Sequence, residues 1–189
     1  MKKIFILLTF LVSCSTFAFA QIYKIGDYYN DGKKEGVVFE VSEDGRHGKI
    51  VSMKQSAKEL QWSSDATAQK YYTGADSYKD GLYNMNKIKS ISGWEKKYPA
   101  FKWCADLGAG WYLPTQNELG VIYVNKDKIN QILMANRMDL LGAKGSYRGL
   151  WSSCECNSYS AAATLFSSGN TYCYSKYEKL AVRAVLVLD

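Results

Sequence analysis

The chain has a single histidine and only two prolines in 189 residues. With His47 alone, the commonest general base and metal ligand is missing from every other position. No histidine-assisted nucleophile can be assembled around it, although paired Glu/Asp chemistry stays open. A zinc site would need spaced Cys and His pairs that one histidine does not complete, so no metal and no cofactor is expected. His47 lies beside a turn, where a surface or hairpin hydrogen bond is its ordinary role. Stripes of Lys and Arg able to track a phosphate backbone are also missing, which excludes nucleic acid as an expected partner. Beyond the first residues no apolar run approaches the length of a transmembrane helix.

What is present begins with a leader. Met1-Lys2-Lys3, the apolar run Ile4 to Val12 and the small residues Ala18-Phe19-Ala20 have the three regions of a secretory signal peptide, with cleavage favoured after Ala20. A rival reading uses Leu11-Val12-Ser13-Cys14 as a site for lipid attachment at Cys14. Either way the expected destination is the periplasm, the cell surface or the medium. Loss of residues 1–20 removes Lys2 and Lys3, so the formal charge falls from +6 to +4. The remaining 21–189 suits one domain with its own core.

Fifteen tyrosines fit a half-buried β or mixed fold, or a contact surface, because the ring packs while the hydroxyl stays wet. The mature cysteines are Cys104, Cys154, Cys156 and Cys173, an even number in a chain expected to be exported. Cys154 and Cys156 would share a face of one strand and are not expected to bond to each other. One of them is expected to meet Cys173 across a neighbouring strand, with Cys104 bonded to the remaining one or buried. A redox role for Cys-x-Cys lacks flanking residues that would lower a thiol pKa.

The sharpest local signal is Gly108-Ala-Gly-Trp-Tyr-Leu-Pro-Thr-Gln-Asn-Glu-Leu119. It reads as a short buried strand at Trp111–Leu113, a proline stop, and a capping box in which Thr115 and Glu118 exchange hydrogen bonds. Before it, residues 36–53 read as a hairpin about Asp44-Gly45. Residues 56–92 are polar and turn-rich, with a short helix expected over Leu82–Ile91. One helix is expected from Trp94 to Leu107, ended by Gly108 and Gly110. A second runs from Thr115 through Leu133 with a break near Asn125. After Gly142 the pattern is short strands at 149–153, 161–166 and 171–174, the last two joined by a turn at Ser167–Asn170. The apolar run 180–188 reads as a central strand. Gln61-Trp-Ser-Ser64 echoes Leu150-Trp-Ser-Ser153, too short a match for a duplication.

The order of helix, Gly-Trp-Tyr-Leu-Pro-Thr, second helix, Leu-Trp-Ser-Ser, Ser-Gly-Asn hairpin and terminal Val-Arg-Ala-Val resembles the Lcl C-terminal domain family over residues 94–187. Tyr23–Tyr29 and the Gly36 hairpin, within 21–60, resemble the N-terminal part of its exported relatives. The resemblance implies an α+β, C-type-lectin-like fold, related to the sulfatase-modifying-enzyme-like folds. It would have two helices, small antiparallel sheets and an N-terminal hairpin, and would serve binding or adhesion on exported bacterial proteins. The Glu-Pro-Asn or Gln-Pro-Asp loop of calcium-dependent sugar-binding lectins is not in this chain, nor is the spaced cysteine pair of the formylglycine-generating enzymes. Neither calcium-mediated sugar binding nor oxidase activity is therefore expected.

The leading expectation is a non-enzymatic binding module for an extracellular glycan, a host or matrix protein, or another subunit. The alternative is a structural or assembly component of a surface layer or fimbria. By the same resemblance the ligand surface falls between the Trp151 strand and the terminal strand. Its candidates are Asn157, Tyr159, Asn170, Tyr172, Tyr174 and Tyr177, rigid aromatic area with adaptable amides. Tyr172 and Tyr174, two apart, share a face that can equally be an inner one.

Overall fold

Asp-Gly between two β-branched runs dictates a hairpin, and the chain makes one. The structure is a computed structural model that describes residues 21–64, 71–142 and 149–188; the expected leader and Cys14 lie outside them. Strands β1 (Tyr28–Asn30), β2 (Glu35–Val41), β3 (Gly48–Ser52) and, from the far end of the chain, β9 (Val185–Leu188) form an antiparallel sheet in the order β1-β2-β3-β9. Gly45 supplies the positive φ of 71° that the β2–β3 turn requires. The Asp44 carboxylate beside it accepts from Ser42 Oγ and Arg46 N–H. Val37, Val38, Phe39, Ile50 and Val51 are all fully buried, so both faces of this hairpin are covered at its middle.

Five helices lie among the described residues: α1 (Gly81–Lys89), α2 (Trp94–Lys97), α3 (Pro99–Asp106), α4 (Gln116–Val124) and α5 (Lys126–Ala135). Asp80 caps α1 by accepting from Tyr83 N–H at 2.8 Å. The single helix expected over 94–107 is instead α2 and α3. Pro99 disfavours helical backbone at the residue before it, and Tyr98 accordingly adopts φ −126°, ψ 73°. The resulting corner lets the rings of Tyr98 and Phe101 meet Trp62 edge-on, at 5.6 and 4.9 Å between centroids. The capping box forms as expected, with Thr115 Oγ1 accepting from Glu118 N–H at 3.2 Å and Glu118 Oε2 from Thr115 N–H at 2.8 Å. The expected break at Asn125 separates α4 from α5.

Two strand expectations change. Trp111–Leu113 is buried, but among the described residues it pairs only through a bridge from Tyr112 to Val185. The run 180–188 is not one central strand. It splits into β8 (Lys179–Leu180), paired with β4 (Leu60–Gln61), and β9, at the end of its sheet with Tyr112 on its outer side. The cause is Arg183, whose buried guanidinium needs carbonyl partners. It donates to Ser52 O (3.0 Å), Met53 O (3.2 Å) and Asp139 O (2.6 Å), and the chain crosses between sheets at that point. Burial lowers its pKa to about 10, with Asp139 opposing. The third sheet is β5 (Leu150–Glu155), β6 (Ser160–Thr164) and β7 (Thr171–Ser175), antiparallel in that order. The architecture is α+β, with several short helices rather than two long ones around small antiparallel sheets.

Candidate interaction surface

The candidate residues lie on β7 or in the turns next to the strands of the β5-β6-β7 sheet, whose two edges differ. Along β5 the outward N–H groups are occupied: Trp151 donates to Ala181 O (3.1 Å), Ser153 to Pro114 O (2.7 Å) and Glu155 to Ala75 O (2.7 Å). On the other side, the bonds from Leu165 N–H to Asn170 O (2.8 Å) and Lys176 N–H to Tyr159 O (2.9 Å) fix the alternation of the β6–β7 ladder. Tyr172 and Tyr174 therefore turn their backbone groups to β6, while Thr171, Cys173 and Ser175 turn theirs away from the sheet. The amides of those three have no backbone acceptor among the described residues.

A disulfide fastens this sheet. The alternatives for Cys173 resolve to Cys156, which lies just past the end of β5. Cys154 does not share that partner. It is buried, donates to Ser77 O at 3.1 Å and accepts from Gln116 N–H at 3.5 Å. Cys104 is buried as a free thiol on α3. Burial pushes both thiols above their usual pKa, so neither has the thiolate character of a reactive cysteine.

Behind β7 lies an ion pair absent from the sequence reading. Lys176 and Glu155 are both fully buried and bonded to each other. Lys176 Nζ also donates to Tyr71 O (3.2 Å) and Ser158 O (3.1 Å) and stands 4.8 Å above the ring centroid of Trp62. Glu155 Oε2 accepts from Thr73 N–H, Thr73 Oγ1 and Gly74 N–H. Burial lowers the Lys176 pKa and Glu155 opposes the shift. Three chain segments are thereby tied to one cation, and each carries an exposed tyrosine: Tyr71 (59%), Tyr159 (63%) and Tyr177 (52%).

The candidates thus divide. Tyr159 and Tyr177 are exposed at this end, joined by Tyr71, which the sequence reading did not select. Asn157 is exposed, but its Oδ1 closes the β5–β6 turn by accepting from Tyr159 N–H (2.8 Å) and Ser160 N–H (3.0 Å). At the opposite end of β7, Asn170 Nδ2 donates to Tyr172 Oη at 3.3 Å. Tyr174 is half-buried, edge-on to Trp151 at 6.5 Å. Only a lysine two residues after Tyr174 could have signalled the arrangement, and a lone lysine in a polar hairpin ordinarily reads as solvated.

Other polar groups are engaged within the fold. Glu118, beyond its capping role, accepts from Tyr112 Oη (2.7 Å) and pairs with Lys49 (3.0 Å), which also reaches Glu40 (3.0 Å). Burial raises the Tyr112 pKa, as do the Glu118 charge and hydrogen bond. His47 is exposed, its backbone N–H and C=O bonded to Ser42 in the hairpin. Among the described residues no three His, Cys, Asp or Glu side chains gather as metal ligands, and no helix is long and apolar enough to cross a membrane.

Between α4 and β7 runs an open groove of about 550 Å³, lined on the helix side by residues from Gln116 to Asn125, among them Gly120, Val121 and Val124, and on the strand side by Thr171. No described residue of this lining is charged, and Val124 is 81% exposed. No family model matches the chain, and no curated protein matches it. Among solved structures, the chain is similar to a fimbrial protein from Bacteroides ovatus ATCC 8483, with a TM-score of 0.61 at 15% identity. The match covers 88% of this chain and 49% of that one, so the chain spans about half the length of the fimbrial protein whose fold it shares.

Proposed function

We propose that the protein is an exported structural or assembly component of a bacterial surface layer or fimbria, acting without catalysis. The observation that carries this reading is the fold shared with a fimbrial protein across most of the chain. The Cys156–Cys173 bridge fits an oxidising, extracytoplasmic location. Glu118, Lys49, Glu155 and Cys154, which could otherwise serve chemistry, are held in bonds internal to the fold. The test is fractionation of the producing cells: the protein is expected in high-mass material sheared from the surface. Recovery only as free, discrete protein would defeat this reading.

A second reading, a binding or adhesion module of the lectin-like type, draws on Tyr71, Tyr159 and Tyr177 around Lys176. Exposed tyrosine faces on pinned backbone suit a sugar ring or a protein surface. A glycan and matrix-protein binding screen separates it from the first reading, since a purely structural component would bind none of the probes.

A further inference from the structure

We propose that β7 is a self-complementary edge, through which two copies of this chain pair antiparallel to continue one six-stranded sheet. The inference goes beyond the assembly reading: an isologous pair closes on itself, so growth into high-mass material would need a further surface, and the inference rests on that reading only in requiring that the chain meets a second copy. It stands on three features of β7 and its surroundings.

The first is an edge that no described residue protects. Sheet edges are ordinarily blunted by lysine, proline, inward charge or a cover. Thr171-Tyr-Cys-Tyr-Ser175 contains neither charge nor proline, and it directs the backbone groups of Thr171, Cys173 and Ser175 outward. The other edges differ. The outer N–H groups of β5 are occupied, β9 is met by Tyr112, and β1 has three residues followed directly by Asp31, Lys33 and Lys34.

The second is the sequence of the strand itself, which reads nearly the same in both directions about Cys173. A two-fold axis through Cys173 sets Cys173 against Cys173 of the second copy and Thr171 against Ser175. These are the residues whose backbone groups face outward, so the register places donors opposite acceptors; Ser175 O, which already accepts from Glu178 N–H (2.8 Å), takes the bond from Thr171 of the second copy on its second lone pair. The pairs between them oppose Tyr172 to Tyr174 of the second copy. Aromatic–aromatic and Thr–Ser pairs are among the favourable cross-strand neighbours, and an isologous contact makes each of them twice.

The third is room on the flank. A two-fold perpendicular to the sheet keeps the same face up in both copies, so the α4 helices come to lie on one side of the joint. Gly120, Val121 and exposed Val124 border the open groove at Thr171, and the uncharged lining raises no like-charge repulsion between copies.

Sedimentation equilibrium of the oxidised, exported protein, with hydrogen exchange on the same sample, tests the pairing. A dimer is expected whose Cys173 and Ser175 amides exchange slowly. Tyr172→Lys places two ammonium groups on the joint and should weaken dimerisation by roughly tenfold or more, while Val124→Lys weakens it from the α4 side. In the resulting monomer both amides should exchange fast. A wild-type protein that stays monomeric at high concentration overturns the inference. So does a dimer in which both amides still exchange fast, although that second result would leave the assembly reading standing. Hydrogen exchange on the wild-type dimer decides the matter even if Tyr172→Lys does not fold.

Discussion

Lys176 and Glu155 form an ion pair with both side chains withdrawn from solvent, twenty-one residues apart in the chain. Taking two charges out of water is unfavourable, and the pair is retained only because each remaining site is bonded: Tyr71 O and Ser158 O on the cation, Thr73 and Gly74 on the anion. Removing one partner leaves the other charged and unanswered. Lys176→Met should destabilise the protein by about 3–5 kcal/mol, and Lys176→Met with Glu155→Leu should recover much of that loss. Denaturant unfolding of the two variants measures it. A single variant within about 1 kcal/mol of the parent would mean that the pair does not anchor this end of the fold.

The disulfide makes a second, separable contribution. Cys156 and Cys173 stand 17 positions apart in the chain, a loop for which the chain-entropy account gives about 3 kcal/mol. Cys156→Ser with Cys173→Ser should lower the melting temperature by that equivalent. In the native protein an aromatic disulfide reagent at pH 8 should find no reactive thiol, because Cys104 and Cys154 are buried and burial raises both pKa values. Unfolding without reductant should release both. A native thiol that reacts at once would contradict the burial.

Much of the local structure was legible because its causes are local. Asp44-Gly45 between Val/Phe and Ile/Val runs announces the hairpin, Thr115 with Glu118 announces the start of α4, and Asn125 marks its end. What was not legible depends on partners far away in sequence. Arg183 breaks the terminal apolar run because it binds carbonyls at 52, 53 and 139, none of which marks itself as waiting for an arginine. Lys176 reads as a surface residue until Glu155 and Trp62 are seen beside it. Pro99 is the exception: its effect on Tyr98 is local, and the helical spacing of Tyr98, Phe101 and Ala105 masked it. At the interaction surface, β7 and its tyrosines were visible as a strand, but its position at an open edge depends on the order of the sheet.

Two helix glycines should answer alanine in opposite directions. A Cβ on Gly81 would come within 2.4 Å of Tyr112 Cε2, in a ring held from its other end by Glu118. Gly81→Ala should therefore cost about 1–3 kcal/mol through overpacking. At Gly120, inside α4, the same construction meets no described atom within 4 Å beyond the helix's own backbone and the adjoining residues. Gly120→Ala should stabilise the protein by roughly 0.5–1 kcal/mol through backbone entropy. Thermal melts at low protein concentration compare them without interference from association. Equal effects of the two substitutions would refute the packing assigned to Tyr112.

The last prediction separates support from surface among the residues at the Tyr159 end. Asn157 Oδ1 holds the turn through Tyr159 N–H and Ser160 N–H, so Asn157→Ala leaves two turn donors to water alone and should cost about 1 kcal/mol. Tyr159 and Tyr177 are more than half exposed, and Tyr159→Ala with Tyr177→Ala should leave stability within about 0.5 kcal/mol of the parent. Any glycan or protein ligand found by screening should lose affinity in the tyrosine pair. It should lose little with Asn157→Asp, which keeps an oxygen acceptor for the turn. Stability is read by thermal denaturation and affinity by titration of the ligand found. If the tyrosine pair binds as the parent does while Asn157→Asp abolishes binding, the amide rather than the aromatic array contacts the ligand, and the binding reading would have to be rebuilt on that turn.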